Sequence, residues 1–178
     1  MRGEVPVFEV ESAYIDAQKY YLEASKSITS FWDKSKVEFE LANDVNMLFD
    51  QRINLDQQKS VDHPGELSVQ FEGDGYSNLK DTCRQLGVTL NVAVQFAWHL
   101  LIQRYTRDEQ TIVGTTVSGR DIPVPEIETS VGLYTNTLPL AVNWKKGASI
   151  REILHEVQEK SASLNSYSSV SLASLQKH

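Results

Sequence analysis

Between Thr111 and Val142 the chain reads TIVGTTVSGRDIPVPEIETSVGLYTNTLPLAV, and this stretch constrains the fold more than any other. Two glycine-marked β-like runs, Thr111 to Val117 and Asn136 to Val142, flank a loop that holds Pro123 and Pro125. Both runs carry small polar residues where a plain core strand would carry Val or Ile. A buried hydroxyl or amide without a partner costs free energy, so such strands are expected to line something polar.

Helical periodicity surrounds this pair. From Ser12 to about Lys34, the residues Tyr14, Ala17, Tyr21, Ala24, Ile28 and Phe31 recur at spacings of three and four. That is one face of a helix, with Ser12 placed to cap it and Trp32 thickening the stripe. Asn43 to Pro64 is polar and acidic and reads as an irregular surface connection, anchored by Met47, Leu48, Phe49 and Ile53. Leu67 to Glu72 alternates strictly, which predicts a half-exposed strand ending in a Gly73-Asp74-Gly75 turn. Ser77 then caps a short helix that buries Leu79, Cys83 and Leu86 and stops at Gly87. The next helix, Thr89 to about Tyr105, is apolar almost all round and is expected inside the domain. Ser149-Ile150-Arg151-Glu152 is a capping box, opening a helix whose Ile150, Ile153, Leu154, Val157 and Leu164 face inward. Asn165 to His178 is serine-rich and ends without a structural stop. The order α, β, α, α, β, β, α predicts one α/β domain over residues 1–178, a mixed sheet covered by helices.

Charge and composition narrow the function. A net charge of -7 argues against a nucleic-acid or anionic-membrane partner, since both need clustered Lys and Arg. No run approaches the roughly 20 apolar residues of a membrane span. The single cysteine, Cys83, rules out an internal disulfide and fits a cytoplasmic location. No cluster has metal-ligand spacing. Cys83 and His99 read as core packing, and Asp16 as a residue that fixes local structure.

The ordered succession of motifs resembles the condensation domains of non-ribosomal peptide synthetases. A strand ending in Thr115-Thr116-Val117-Ser118-Gly119-Arg120 precedes Val131-Gly132-Leu133-Tyr134-Thr135-Asn136-Thr137-Leu138-Pro139-Leu140. Upstream stand Gly87-Val88-Thr89-Leu90-Asn91 with Trp98, Leu101, Tyr105 and Val113-Gly114, and earlier Tyr14-Ile15-Asp16-Ala17 followed by Phe31-Trp32. The likeness runs from about residue 10 to 176. It implies one lobe of a chloramphenicol-acetyltransferase-like fold, in which two lobes meet in a V around a tunnel. The implied reaction joins an acyl or peptidyl thioester to the amine of an aminoacyl thioester, each on the phosphopantetheine arm of a carrier domain. No cofactor binds directly.

That family carries an HHxxxDG motif in its first lobe, whereas the four histidines here, His63, His99, His155 and His178, are scattered. The resemblance is therefore to the C-terminal lobe, cut from a longer polypeptide, with no catalytic residue of its own. Alone it is expected to be inactive. Its expected partners are the missing N-terminal lobe, donor and acceptor carrier domains and an adjacent adenylation domain. An exposed apolar face would make the isolated fragment self-associate. Three alternatives share these motifs: an epimerisation domain, a free-standing acyltransferase, or a non-catalytic scaffold lobe. One departure is Ala141, where many relatives carry Arg.

By the same resemblance the tunnel residues are Ser118, Gly119, Arg120, Gly132, Tyr134 and Asn136. Each has a plainer reading. Asn136 is a tunnel amide near the reacting centre or a strand-start amide, and Tyr134 a tunnel wall or a core aromatic. Arg120 contacts substrate or pairs with Asp121 or Glu126. Gly132 permits a tight turn or a close backbone approach.

Overall fold

The computed structural model describes residues 12–35, 43–54, 57 and 65–176. Helix α1 spans Ala13–Ser35, and a 3-10 turn follows at Val45–Leu48. Helices α2 (Gly73–Leu86) and α3 (Leu90–Thr106) come next, then strands β1 (Gln110–Val117) and β2 (Asn136–Asn143). Helix α4 (Ile150–Ser166) and a short α5 (Leu172–Gln176) complete the order. The strands form a two-stranded sheet. Gln110 bonds to Asn143 at one end, and Gly114 lies beside Thr137 toward the other, so the pairing is antiparallel.

The chain divides into two compact units. The first comprises Met1–Val37, Gly114–Leu138 and Ser163–His178; the second, Glu38–Val113 and Pro139–Ala162. In the first, Ala13 and Ala17 of α1 pack with Ile122, Val124, Ile127 and Tyr134, with Tyr20 and Tyr21 against them. Small residues on α1 let the loop after β1 approach the helix closely. Trp32 closes the far end of α1: it is buried and its indole donates to the Tyr167 carbonyl at 2.9 Å. Phe31 stacks on the Tyr167 ring at 4.2 Å.

In the second unit α3 packs against α2 and the 3-10 turn. Helix α2 ends at Gly87 in the left-handed conformation, and Thr89 caps α3 by accepting from the Val92 N–H. Asn43 closes the free edge of β1: its amide donates to the Gln110 carbonyl (2.8 Å) and accepts from the Ile112 N–H (2.7 Å), as a neighbouring strand would. At α4 the capping box is complete: Glu152 accepts from the Ser149 N–H at 2.7 Å and the Ser149 hydroxyl accepts from the Glu152 N–H at 3.3 Å.

Four expectations fail. Leu67 to Glu72 forms no strand; Leu67, Val69 and Phe71 are 90%, 70% and 63% exposed. Alternation sets which face a strand would bury, but a strand also needs a partner. Among the described residues β1 and β2 pair only with each other. Gly73 to Gly75 is the first turn of α2, already under way at Ser77, with Glu72 at its N-cap. Helix α3 is not enclosed: Val92, His99 and Ile102 are buried, while Val94, Trp98, Leu101 and Tyr105 are exposed. Those four share one face at spacings of four, three and four, so an apolar stripe meets solvent. Ile150 too is exposed, lying in the first turn of α4.

Candidate functional site

The six motif residues all fall in the first unit. Their geometry starts at the end of β1. The Ser118 hydroxyl accepts from the Arg120 N–H at 3.1 Å, and Gly119 turns the chain with a φ of +65°. A side chain at Gly119 would overlap the Tyr134 carbonyl oxygen. The Gly119 carbonyl accepts from the Tyr21 hydroxyl at 2.7 Å, which fastens this turn to α1. Burial pushes the Tyr21 phenol above its ordinary range.

Arg120 pairs with neither Asp121 nor Glu126. Its guanidinium donates to the Ile127 carbonyl and, at 2.9 Å, to the Ser130 carbonyl, while its carbon sits 4.1 Å from the centre of the Tyr134 ring. Planar guanidinium suits both jobs, in-plane donors for carbonyls and a face for the ring. Tyr134 is buried, with its hydroxyl 2.7 Å from the Ser130 hydroxyl and the Tyr14 ring against it edge-on at 5.5 Å. Gly132 is where those two rings meet. A Cβ there would lie 2.5 Å from the Tyr14 ring and 3.0 Å from Tyr134, so close approach is the reason for this glycine.

Asn136 begins β2. Its amide nitrogen donates to the Ser168 carbonyl (2.7 Å) and the Val170 carbonyl (2.6 Å), and its oxygen accepts from the Thr137 N–H (2.8 Å). Both donors are thus engaged with main chain. Tyr134 and Asn136, with Leu133 and Thr135, border a cleft of 330 Å³ whose other walls are Gln18 and Tyr21 of α1 and Ser168 to Ser171. Ser118, Gly119, Arg120 and Gly132 do not line it. A second groove of 440 Å³ shares Gln18, Tyr21, Ser169 and Val170 and extends along α1 past Leu22, Ser25 and Trp32.

Sequence reasoning missed two walls of the cleft. Gln18 and Tyr21 were legible only as part of a helix, and the serines after Asn165 only as an unfinished end. The serine run was the available signal, since Ser168 is buried in the turn that Asn136 holds.

The chain matches the family model described as the Condensation domain over residues 4–178. It belongs to the condensation-domain family. A similar relative is N-(5-amino-5-carboxypentanoyl)-L-cysteinyl-D-valine synthase of Penicillium rubens, 31% identical over 99% of this chain. A linear gramicidin synthase of Brevibacillus parabrevis is 34% identical over 93% of the chain. The chain spans 5% and 2% of those two proteins. In structure it is similar to the cyclization-docking bidomain of the EpoB non-ribosomal peptide synthetase from Sorangium cellulosum. There the TM-score is 0.73 over 99% of this chain and 35% of that one, at 16% identity, a likeness of fold. The mixed helices and small sheet are those of a chloramphenicol-acetyltransferase-like lobe.

In the second unit His99 is buried with its Nδ1 2.8 Å from the Thr111 hydroxyl, but its Nε2 has no hydrogen-bond partner. The expected satisfied core histidine is therefore only half satisfied, because its helix packs that nitrogen away from polar groups. Burial first, and the Lys160 ammonium second, lower its pKa from 6.5 to about 4. Beside Ala141, Lys160 donates to the residue's carbonyl at 2.9 Å and pairs with Glu156 at 3.1 Å.

Proposed function

We propose that this chain is the acceptor-side, C-terminal lobe of a condensation domain in a cytoplasmic non-ribosomal peptide synthetase. The domain joins an acyl or peptidyl thioester to an aminoacyl amine, both on carrier-domain phosphopantetheine arms. The amine nitrogen attacks the thioester carbonyl, the C–S bond breaks, the donor arm leaves as a thiolate and takes up the proton that the amine gives up. A thioester is already activated, so holding amine and carbonyl in a near-attack arrangement supplies much of the acceleration. The family match over residues 4–178 carries this reading.

The cleft beside Tyr134 and Asn136 is the part of the tunnel that this lobe contributes. Asn136 shapes it without stabilising an oxyanion, since both its donors are already bonded to main-chain carbonyls. Proton handling falls to the HHxxxDG motif of a partner lobe, and carrier and adenylation domains are the further partners. The 178-residue chain alone, given two loaded carriers, should form no peptide, and the polypeptide that adds the HHxxxDG-bearing lobe should form it. Product from the chain alone, or none from the completed domain, would overturn the reading. The stripe Val94, Trp98, Leu101 and Tyr105 supports self-association of the isolated chain, which light scattering reads directly.

A further inference from the structure

We infer that Arg120 is a positioning residue, which sets the cleft wall by holding Tyr134 and the loop in front of it. The inference rests on the reading of that cleft as part of the substrate tunnel. Arg120 does not line the cleft. It reaches the cleft through Tyr134, whose ring it covers at 4.1 Å, and through the Ile127 and Ser130 carbonyls to which it donates.

Tyr134 is constrained from every direction that its side chain and backbone offer. Arg120 takes one ring face, Tyr14 meets the ring edge-on, and Ser130 engages the hydroxyl. Its carbonyl lies against Gly119, where no side chain fits. The residues on either side of Tyr134 are Leu133 and Thr135, and both line the cleft with Asn136. Fixing the tyrosine therefore fixes a wall four residues long. Neither irregular loop, 118–121 nor 122–134, has a ladder of backbone bonds to hold it. One side chain that binds two carbonyls and a ring does that work in their place.

The test is a double-mutant cycle in the complete condensation protein, with Arg120→Met, Tyr134→Leu and the double variant. Arg120→Met keeps an apolar stem over the ring and removes the planar donors. A misplaced wall should lower kcat by about tenfold or more while the acceptor KM stays within about threefold. If Arg120 acts through Tyr134, the double variant is no slower than Tyr134→Leu alone. Arg120→Lys keeps a cation over the ring and should recover part of the loss; it also replaces Arg120→Met in the cycle should that variant fail to fold. Turnover by Arg120→Met within about threefold of the parent, or losses that multiply in the double variant, would overturn the inference. The same cycle is read by hydrogen exchange at residues 127–135, which needs no condensation activity. Both single variants should speed exchange there by about tenfold, and the double no further. If the intact protein makes no peptide, the tunnel reading falls and the exchange cycle alone decides whether Arg120 holds this wall.

Discussion

Acidification should weaken this fold through His99, and the size of the effect follows from three side chains. Trp144 donates its indole N–H to the Thr111 hydroxyl at 2.9 Å, and an indole can only donate. The hydroxyl proton then points to His99 Nδ1 at 2.8 Å, which assigns the ring proton to the unpartnered, buried Nε2. A second proton would place an N–H against the hydroxyl hydrogen and a full charge in the core, near Lys160. Hence the pKa falls from 6.5 to about 4 in the folded protein, with burial the larger cause. The sign is that of a depressed pKa: between those values the unfolded chain binds more protons, so stability is intact above about pH 6.5 and drains as pH falls toward about 4. The loss is about 2 kcal/mol by about pH 5 and about 3 kcal/mol by about pH 4. Urea unfolding followed by tryptophan fluorescence at about pH 7 and about pH 5 measures it, comparing the parent with His99→Gln. Carboxylates titrate in both proteins and cancel in the difference. The variant should lose about 2 kcal/mol less than the parent over that interval. Equal losses in the two proteins would refute the assignment of the pH dependence to this ring.

Asn136→Ala removes two donated bonds and one accepted bond, and should cost about 2 kcal/mol in urea unfolding, with faster hydrogen exchange confined to the turn at Ser168 to Val170. Gly87 and Gly119 have similar left-handed backbones, but a Cβ meets nothing at Gly87 and overlaps the Tyr134 carbonyl at Gly119. Gly87→Ala should therefore cost about 1 kcal/mol and Gly119→Ala about 2 kcal/mol more, read by the same unfolding curves. Thr89→Ala removes the cap that accepts from Val92 and should lower stability by about 1 kcal/mol in thermal or urea unfolding.

What was legible in the sequence was local. The stripe from Tyr14 to Phe31, the capping box at Ser149, the glycine stop at Gly87 and the strand runs beginning near Thr111 and at Asn136 each depend on neighbours within about one or two turns. All appear within a residue or two of the positions read. Leu67 to Glu72 failed because alternation is local but pairing is not. Helix α3 misled for a related reason: an all-round apolar pattern says that two faces want cover, and only contacts distant in sequence decide which face gets it. The site divided the same way. That Arg120, Tyr134 and Asn136 matter could be read from the motifs, but not what they bind. Their partners are carbonyls of Ile127, Ser130, Ser168 and Val170, and a carbonyl has no sequence signature.

This shared choice of partner explains why polar residues stand at both strand ends. The loop before Tyr134 and the turn after α4 are irregular, so their carbonyls have no ladder of their own to join. Arg120 brings planar donors to one segment and Asn136 an amide to the other, and each leaves a cleft wall in a fixed place. A hydrophobic residue of equal size could fill either position but could satisfy neither pair of carbonyls. The motif residues in this lobe therefore encode the shape of a passage more than its chemistry. That division of labour fits a reaction whose acyl group arrives already activated, where geometry has the most to contribute.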